Sequence, residues 1–422
     1  MVGYNHMVKN QLADLIAQQM SSRDLKRVGV AVSGGGDSMA LLVLMAEYAM
    51  SAGISLFAIS VNHGLRKNAE AELRLVSDQC TKLDIPHTVT HWTGWDGVGN
   101  LQANARDARY HLITKWAKTH NIDFVTLGHT ADDQAETLLM RLARGAGVDG
   151  LAAMAVESQR HGVTWLRPLL GVLREDLRDF LCKNNVSWAE DPSNENRNFE
   201  RIRMRDALKA LAPLGLTAQN LAVVSSNMFD ARAALELHTT SAARAACEVM
   251  LGAVKIDLER YNTLPVEIAR RLLVRAIVWV NGSNYSPRRS GVTQVQTAMN
   301  NGVSSTLDGC QVVCKQGRIY VCRELNAVRD EIGVIDGLWD RRWRIVGPSD
   351  HKELRVAPLG ELGVRSSKVW REMGLPREAI LSLPAVWRGG ELIASPLIES
   401  GSEWVAKLER CADTFYRTLL SH

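Results

Sequence analysis

The run Val28–Val32 is apolar throughout and passes through Ser33-Gly34-Gly35-Gly36-Asp37-Ser38 into an apolar helical pattern over Met39–Ala49. Few arrangements accommodate a buried strand that enters a helix through three successive glycines. Glycine tolerates positive φ, and without a Cβ it lets backbone N–H groups close on an anion. The helix, expected from Ser38 or Met39, adds the positive end of its dipole. The loop lacks the Gly-Lys-Ser/Thr of a Walker A motif and the spacing of a GxGxxG dinucleotide fingerprint. Asp37 would repel a phosphate chain unless it holds a cation such as Mg²⁺ that bridges to the phosphates. The alternative is a plain tight turn with Asp37 or Ser38 as the helix N-cap.

The rest of the chain's first half favours the phosphate reading. Leu56–Val61, His87–His91 and Phe124–Gly128 are further short strand-like runs, separated by helical patterns over Ala69–Leu83 and Leu101–Thr119. This alternation predicts an α/β fold, a parallel doubly wound sheet whose ligands lie at the carboxyl ends of the strands. A chain of 422 residues exceeds what one core usually supports, so two or three domains are expected. Composition puts the boundaries near residues 213 and 330. Residues 1–213 form the α/β catalytic domain in this reading, and 214–330 a mainly helical one, with helices over Asp230–Met250 and Val266–Val280. That stretch closes with a hairpin-like Gln311–Arg323, in which Cys310 and Cys314 are candidates to face each other. Residues 331–422 form a small α+β domain with Trp339, Trp343, Trp370, Trp387 and Trp404 among arginines.

A helix expected over Ala131–Arg144 carries Asp132, Asp133 and Glu136 at its start and turns Leu138, Leu139 and Leu142 toward the core. Asp133 and Glu136 are three residues apart and share one face. Acids at a helix N-terminus suit the dipole, which is one reading; a bound cation relieving their mutual repulsion is the other. Arg106 and Arg109, with Tyr110 beside them, share a face of the preceding helix. Arg197, Arg201, Arg203 and Arg205 crowd a stretch where Glu195, Glu200 and Asp206 offset them in part. Arg288 and Arg289 are further candidates for phosphate contacts. His129 reads as a cap, a core histidine or a site residue, and His63 and Arg66 follow the second strand.

The formal charge of +4 permits nucleic-acid binding without requiring it. Seven cysteines without a CxxC pair argue against a disulfide framework or thiolate zinc site and for a reducing, cytoplasmic setting. No signal peptide is expected, because Met1–Lys9 leads into a polar helix without an apolar h-region, and no membrane partner, because no apolar run reaches bilayer length.

The glycine loop resembles that of the N-type ATP pyrophosphatases, the PP-loop, adenine nucleotide alpha hydrolase-like fold. Within that superfamily the chain is similar to the tRNA(Ile)-lysidine synthetase family through residues 28–205. The matching segments are Val61-Asn62-His63-Gly64-Leu65-Arg66, Asn104-Ala105-Arg106-Asp107-Ala108-Arg109-Tyr110 and Leu127-Gly128-His129-Thr130-Ala131-Asp132-Asp133-Gln134-Ala135-Glu136-Thr137. Arg144-Gly145-Ala146-Gly147, Arg167-Pro168-Leu169-Leu170 and Trp188-Ala189-Glu190-Asp191-Pro192-Ser193-Asn194 follow in the family's order. Asn62 and Thr130 depart from the family's common Asp and His.

The resemblance implies ATP, Mg²⁺ and free L-lysine as reactants and a CAU-anticodon tRNA(Ile) as acceptor. It implies that Ser33–Ser38, His63 and Arg201 bind ATP, that Asp37 holds the metal, and that Asp133 and Glu136 bind lysine. Arg106 and Arg109 join the catalytic set, while Arg203, Arg205, Arg288 and Arg289 meet RNA. A tRNA thiolase or a small-molecule amidating ligase of the same superfamily is the alternative, as is an RNA-binding protein without activity. A homodimer is left open.

Overall fold

The computed structural model describes residues 9–64, 69–93, 101–190, 200–283, 285–348, 353–366, 369–399 and 403–417. Arg66, Arg197, Glu195 and the Asp191–Asn194 turn fall outside them.

The amino-terminal strands carry too much apolar surface to face water on either side. β1 (Arg27–Ala31) is buried beyond its first residue and pairs in parallel with β2 (Ser55–Asn62) and β4 (Phe124–Leu127). β3 (His87–His91) extends the sheet in parallel beyond β2, and β6 (Val163–Leu166) beyond β4. The six-stranded order is β3-β2-β1-β4-β6-β5, with β5 (Glu157–Arg160) an antiparallel edge. The sheet is therefore mixed, where sequence pattern predicted a purely parallel one. Two covering layers bury its faces. On one lie α1 (Lys9–Met20), α2 (Gly36–Ala52), α3 (Ala69–Lys82) and, later in the chain, the helix Arg174–Lys183, through Leu12, Met39, Val76, Phe180 and their neighbours. On the other, α4 (Leu101–Thr119) packs Tyr110, Ile113 and Trp116 against Ile59, Val125 and the fully buried Trp165.

The chain moves outward from β1 to β2 and β3, then crosses back to β4 on the other side of β1. The loops after β1 and β4 thus diverge, opening a crevice at the carboxyl ends of these strands. α5 (Ala131–Leu142) starts there, followed by α6 (Val148–Leu151), α7 (Arg174–Lys183) and α8 (Glu200–Leu211). Leu138 of α5 is buried, but Leu142 is exposed, because the helix ends where its apolar face leaves the core.

Residues through Arg232 form one compact unit and those from Ala233 onward a second. The division falls within the long helix α9 (Ala218–Ala246), whereas the sequence pattern placed boundaries near 213 and 330. Over 214–330 most residues are helical, but a sheet lies among the helices. There β7 (Cys247–Met250), β8 (Ala253–Asp257), β9 (Ser305–Leu307), β10 (Cys310–Lys315) and β11 (Arg318–Arg323) form a five-stranded sheet, ordered β7-β8-β11-β10-β9. It packs against α11 (Val266–Asn281) and α12 (Arg289–Asn300), which follow the short α10 (Leu258–Asn262). The β10–β11 hairpin forms as predicted, but Cys310 opposes Arg323 and Cys314 opposes Ile319, so the two thiols do not face each other. Beyond it, Trp339 and Trp343 are core residues that pair across a two-strand contact. Among the described residues no single helix is long and apolar enough to cross a membrane.

Candidate active site

The phosphate loop is built by hydroxyls as much as by glycines. The Ser33 N–H donates to Ser38 Oγ at 3.1 Å, and Ser38 Oγ donates to the Gly35 carbonyl at 2.9 Å. α2 therefore starts at Gly36 with Gly35 as its cap, two or three residues before the expected start at Ser38 or Met39, and neither Asp37 nor Ser38 is the N-cap. Gly34 has φ of +88°, and a Cβ there would lie 3.3 Å from Glu72, so the loop requires glycine at this position. The Ala189 N–H donates to Gly34 O at 2.9 Å, and Gly35 forms a bridge with Ala189. The Trp188-Ala189 pair thus braces the loop from outside.

The end of β4 fixes a second element against the first. A Cβ on Gly128 would stand 3.0 Å from both Asp37 O and Ser38 Cα. That close approach brings the start of α5 to the start of α2 and sets Asp37 among the acids of α5. The acids are held in separate ways. Asp133 Oδ2 accepts from the Thr130 N–H at 2.9 Å and Thr130 Oγ1 at 3.0 Å, which locks it across the helix start. Asp132 Oδ2 accepts from the Arg174 N–H at 2.8 Å. Glu136 is 1% exposed, with Oε1 accepting from Arg205 Nε at 3.0 Å. Its other oxygen, Oε2, is buried without a hydrogen-bond partner among the described residues.

At the centre lies Arg174. Its Nε donates to Asp37 Oδ2 at 3.0 Å, while Nη2 stands 3.4 Å from Asp133 Oδ1 and Nη1 stands 3.7 Å from Glu136 Oε1. Sequence reading passed over this residue. The available signal was its place at the first position of α7, where a cation opposes the helix dipole, four residues after Leu170 of the Arg167-Pro168-Leu169-Leu170 segment.

Burial and charge set the titration of these groups. Burial raises the Asp37 carboxyl above its ordinary value; Arg174 opposes this, while Asp133 and Asp132 add to it. Burial likewise raises Glu136, Asp133 adds to it, and Arg205 and Arg174 offset only part. For Asp133 burial also acts upward, but Arg174, His129, the Thr130 N–H and Arg201 together hold it below the usual range. His129 is pushed down to about 3 by burial and by Arg167, Arg109 and Arg106, against the pull of Asp133. It is a neutral imidazole at physiological pH, and its buried Nδ1 has no partner among the described residues.

A cavity of about 900 Å³ joins these parts. Ser33, Gly35, His63, Arg109, Asp133, Glu136, Arg174, Arg201 and Arg205 all line it. Arg106 does not: it is exposed and lies over the Tyr110 ring at 5.4 Å. Arg203 is exposed and outside the lining, and Arg205 faces Glu136 rather than open solvent. Arg288 and Arg289 are exposed in the second unit, at the start of α12.

The donor set bears on a metal. Among the described residues no group of three or more His, Cys, Asp or Glu side chains forms a cage. Mg²⁺ needs no such cage, since it is commonly held by one or two carboxylates and substrate phosphates. Asp37, beside the loop with its side chain 22% exposed, fits that role.

The arrangement combines a glycine-rich loop with a buried carboxylate cluster in one crevice, and the chain is similar to known proteins. Residues 5–211 match the model of the PP-loop domain family. A tRNA(Ile)-lysidine synthase from Ruegeria pomeroyi is 45% identical over 97% of this chain and 98% of its own length. Another, from the Wolbachia of Brugia malayi, is 32% identical over 87% of this chain and 88% of that protein. Among solved structures, the U34-tRNA thiolase NcsA from Methanococcus maripaludis is similar over 52% of this chain and 78% of its own, with a TM-score of 0.46 and 18% identity. The full-length likeness to the synthases carries the assignment: the chain belongs to the tRNA(Ile)-lysidine synthase family.

Proposed function

We propose that the cavity performs two successive displacements on one RNA base, as an ATP-dependent lysidine synthesis on tRNA(Ile). In the first, O2 of the wobble cytidine of a CAU anticodon attacks the α-phosphorus of ATP. The bond to the β-phosphate breaks and pyrophosphate leaves. In the second, the ε-amine of free L-lysine attacks C2 of the adenylated base, the C2–O bond breaks, and AMP leaves with that oxygen. The amine proton is lost in the same step.

The carrying observation is the pair Asp133 and Glu136, buried carboxylates facing the same cavity as the phosphate loop. Phosphate binding alone gives no reason to place acids there. The backbone N–H groups of the loop and the α2 dipole hold the phosphates and take up charge as pyrophosphate departs. Mg²⁺ on Asp37 would add neutralisation of the phosphate oxygens when bound. Arg109 and Arg201 line the same cavity and are assigned to the phosphates or the reacting base. His63, at the end of β2, is assigned to the adenosine side.

Lysine arrives as an ammonium ion. With an ordinary pKa near ~10.4, deprotonation at pH 7 costs roughly 4.6 kcal/mol. Asp133 and Glu136 hold the cation, and Glu136, whose carboxyl is raised, is the better proton acceptor once the amine is aligned. An anticodon loop suits such a site, because unpaired bases leave the stack at low cost.

The test is incubation of the protein with ATP, Mg²⁺, labelled lysine and a CAU tRNA(Ile) transcript, following label in RNA and AMP release. Stoichiometric incorporation is expected, with none into a methionine tRNA bearing the same anticodon. A folded, ATP-binding preparation that labels no RNA defeats the proposal. With pre-adenylated RNA, Glu136→Gln and Asp133→Asn should each slow lysine transfer; full rates in both would remove these carboxylates from the mechanism.

A further inference from the structure

The carboxylate cluster already contains a cation. Arg174 reaches Asp37, Asp133 and Glu136 with a different nitrogen for each, at 3.0, 3.4 and 3.7 Å. Only the first is a well-formed charged hydrogen bond, and the other two lie at or beyond the long limit. The guanidinium is thus seated on the phosphate-loop acid and leans toward the pair assigned to lysine. Asp37, Asp132, Asp133 and Glu136 bring four formal negative charges; Arg174 and Arg205 offset two of them by direct contact, and Arg201 acts on Asp133 from the cavity wall. The cluster retains capacity for an added cation, and Glu136 Oε2 is a buried acceptor without a hydrogen-bond partner among the described residues.

We propose that Arg174 is a positioning residue that plugs the carboxylate pocket of the empty enzyme and leaves it when nucleotide binds, so that lysine binding depends on bound ATP. This rests on the lysidine reading above. A triphosphate on the loop offers the guanidinium a competing anion close to its present seat. Asp37, were it to hold Mg²⁺ for the phosphates, would no longer be free to keep Arg174 at its strongest contact. Both events free Asp133 and Glu136 for the three N–H donors of an ammonium group. A state that binds lysine only after Arg174 moves has its apparent affinity lowered by the fraction of open enzyme, and nucleotide removes that penalty. The linkage is reciprocal, so lysine must tighten nucleotide binding by the same factor.

The full chain is titrated with lysine by calorimetry, with and without Mg²⁺ and α,β-methylene ATP, which cannot be cleaved at the reacting bond. Wild type should bind lysine about fivefold or more tightly with nucleotide present, within the usual span of coupled sites. In Arg174→Gln, lysine should bind without nucleotide about as tightly as wild type does with it, and the nucleotide effect should shrink below roughly twofold. Arg174→Lys retains one charge but cannot span the three acids, so its coupling should be intermediate. It also decides the matter if the Gln variant fails to fold, as judged by circular dichroism. Coupling equal to wild type in either folded variant, or weaker lysine binding in nucleotide-free Arg174→Gln, overturns the proposal. So does a wild type that shows no coupling or binds no lysine in either state. The lysidine reading is judged separately, by incorporation into tRNA.

Discussion

Burial acts on Asp133 and Glu136 in the same direction, but their partners divide them. Asp133 gains Arg174, the Thr130 N–H and His129, and it ends below the usual carboxylate range. Its charge therefore contributes stability that is present above the unfolded carboxyl pKa and is lost as pH falls through the folded value. Glu136 ends above its ordinary value, so the folded state binds its proton more readily than the unfolded state does. Its contribution has the opposite sign and weakens folding as pH rises from the unfolded value through the raised one. Glu136→Gln should accordingly melt at or above the wild-type temperature at pH 8, with the difference closing toward pH 5, while lysine transfer slows. A variant that melts clearly lower than wild type at pH 8 would contradict this. Asp37, Asp133 and Glu136 were legible because carboxylates in a phosphate crevice demand a cation. Arg174 was not, because an arginine beside Glu175 and Asp176 reads from sequence as an ordinary solvated helix start.

Two helix starts, α2 and α5, must lie almost in contact for these side chains to share a cluster, and Gly128 permits it. The atoms that an added methyl would meet are backbone, which cannot rotate away. Gly128→Ala should therefore cost about 1–3 kcal/mol, a fall of roughly 3–10 °C in melting temperature for a unit of this size. It should also weaken binding of α,β-methylene ATP, since the loop after β1 moves with Asp37. An unchanged melting temperature would mean that the two helix starts have room to spare. At this scale the parallel strands were legible, being short apolar runs bounded by small residues. The β5–β6 hairpin was not: Glu157–Arg160 is half exposed and polar, and only pairing with β6 makes it a strand. The sheet between Cys247 and Arg323 was obscured in a similar way, since alanine- and arginine-rich helical patterns around it dominate the composition.

All residues lining the candidate cavity belong to the first unit, while a tRNA substrate needs contacts well beyond one anticodon base. In the second unit, Arg288 is the N-cap of α12 and Arg289 its first residue, and the first turn carries no acid. Two exposed cations at the positive end of a helix dipole repel both the dipole and each other. A phosphate would relieve this, because it accepts from the free N–H groups of the helix start while neutralising both guanidinium groups. If they meet the RNA backbone, Arg288→Ala and Arg289→Ala should each raise the KM for tRNA and leave the KM for lysine and ATP unchanged. Each should also flatten the dependence of log affinity on log salt by roughly one unit, the signature of one lost phosphate contact. Filter binding across a salt series reads this directly, and the slope separates it from a general loss of folding, which would lower binding at every salt without changing the slope. A tRNA affinity and slope identical to wild type in the double variant would remove this helix start from the RNA surface and move the search to the arginines near Trp343.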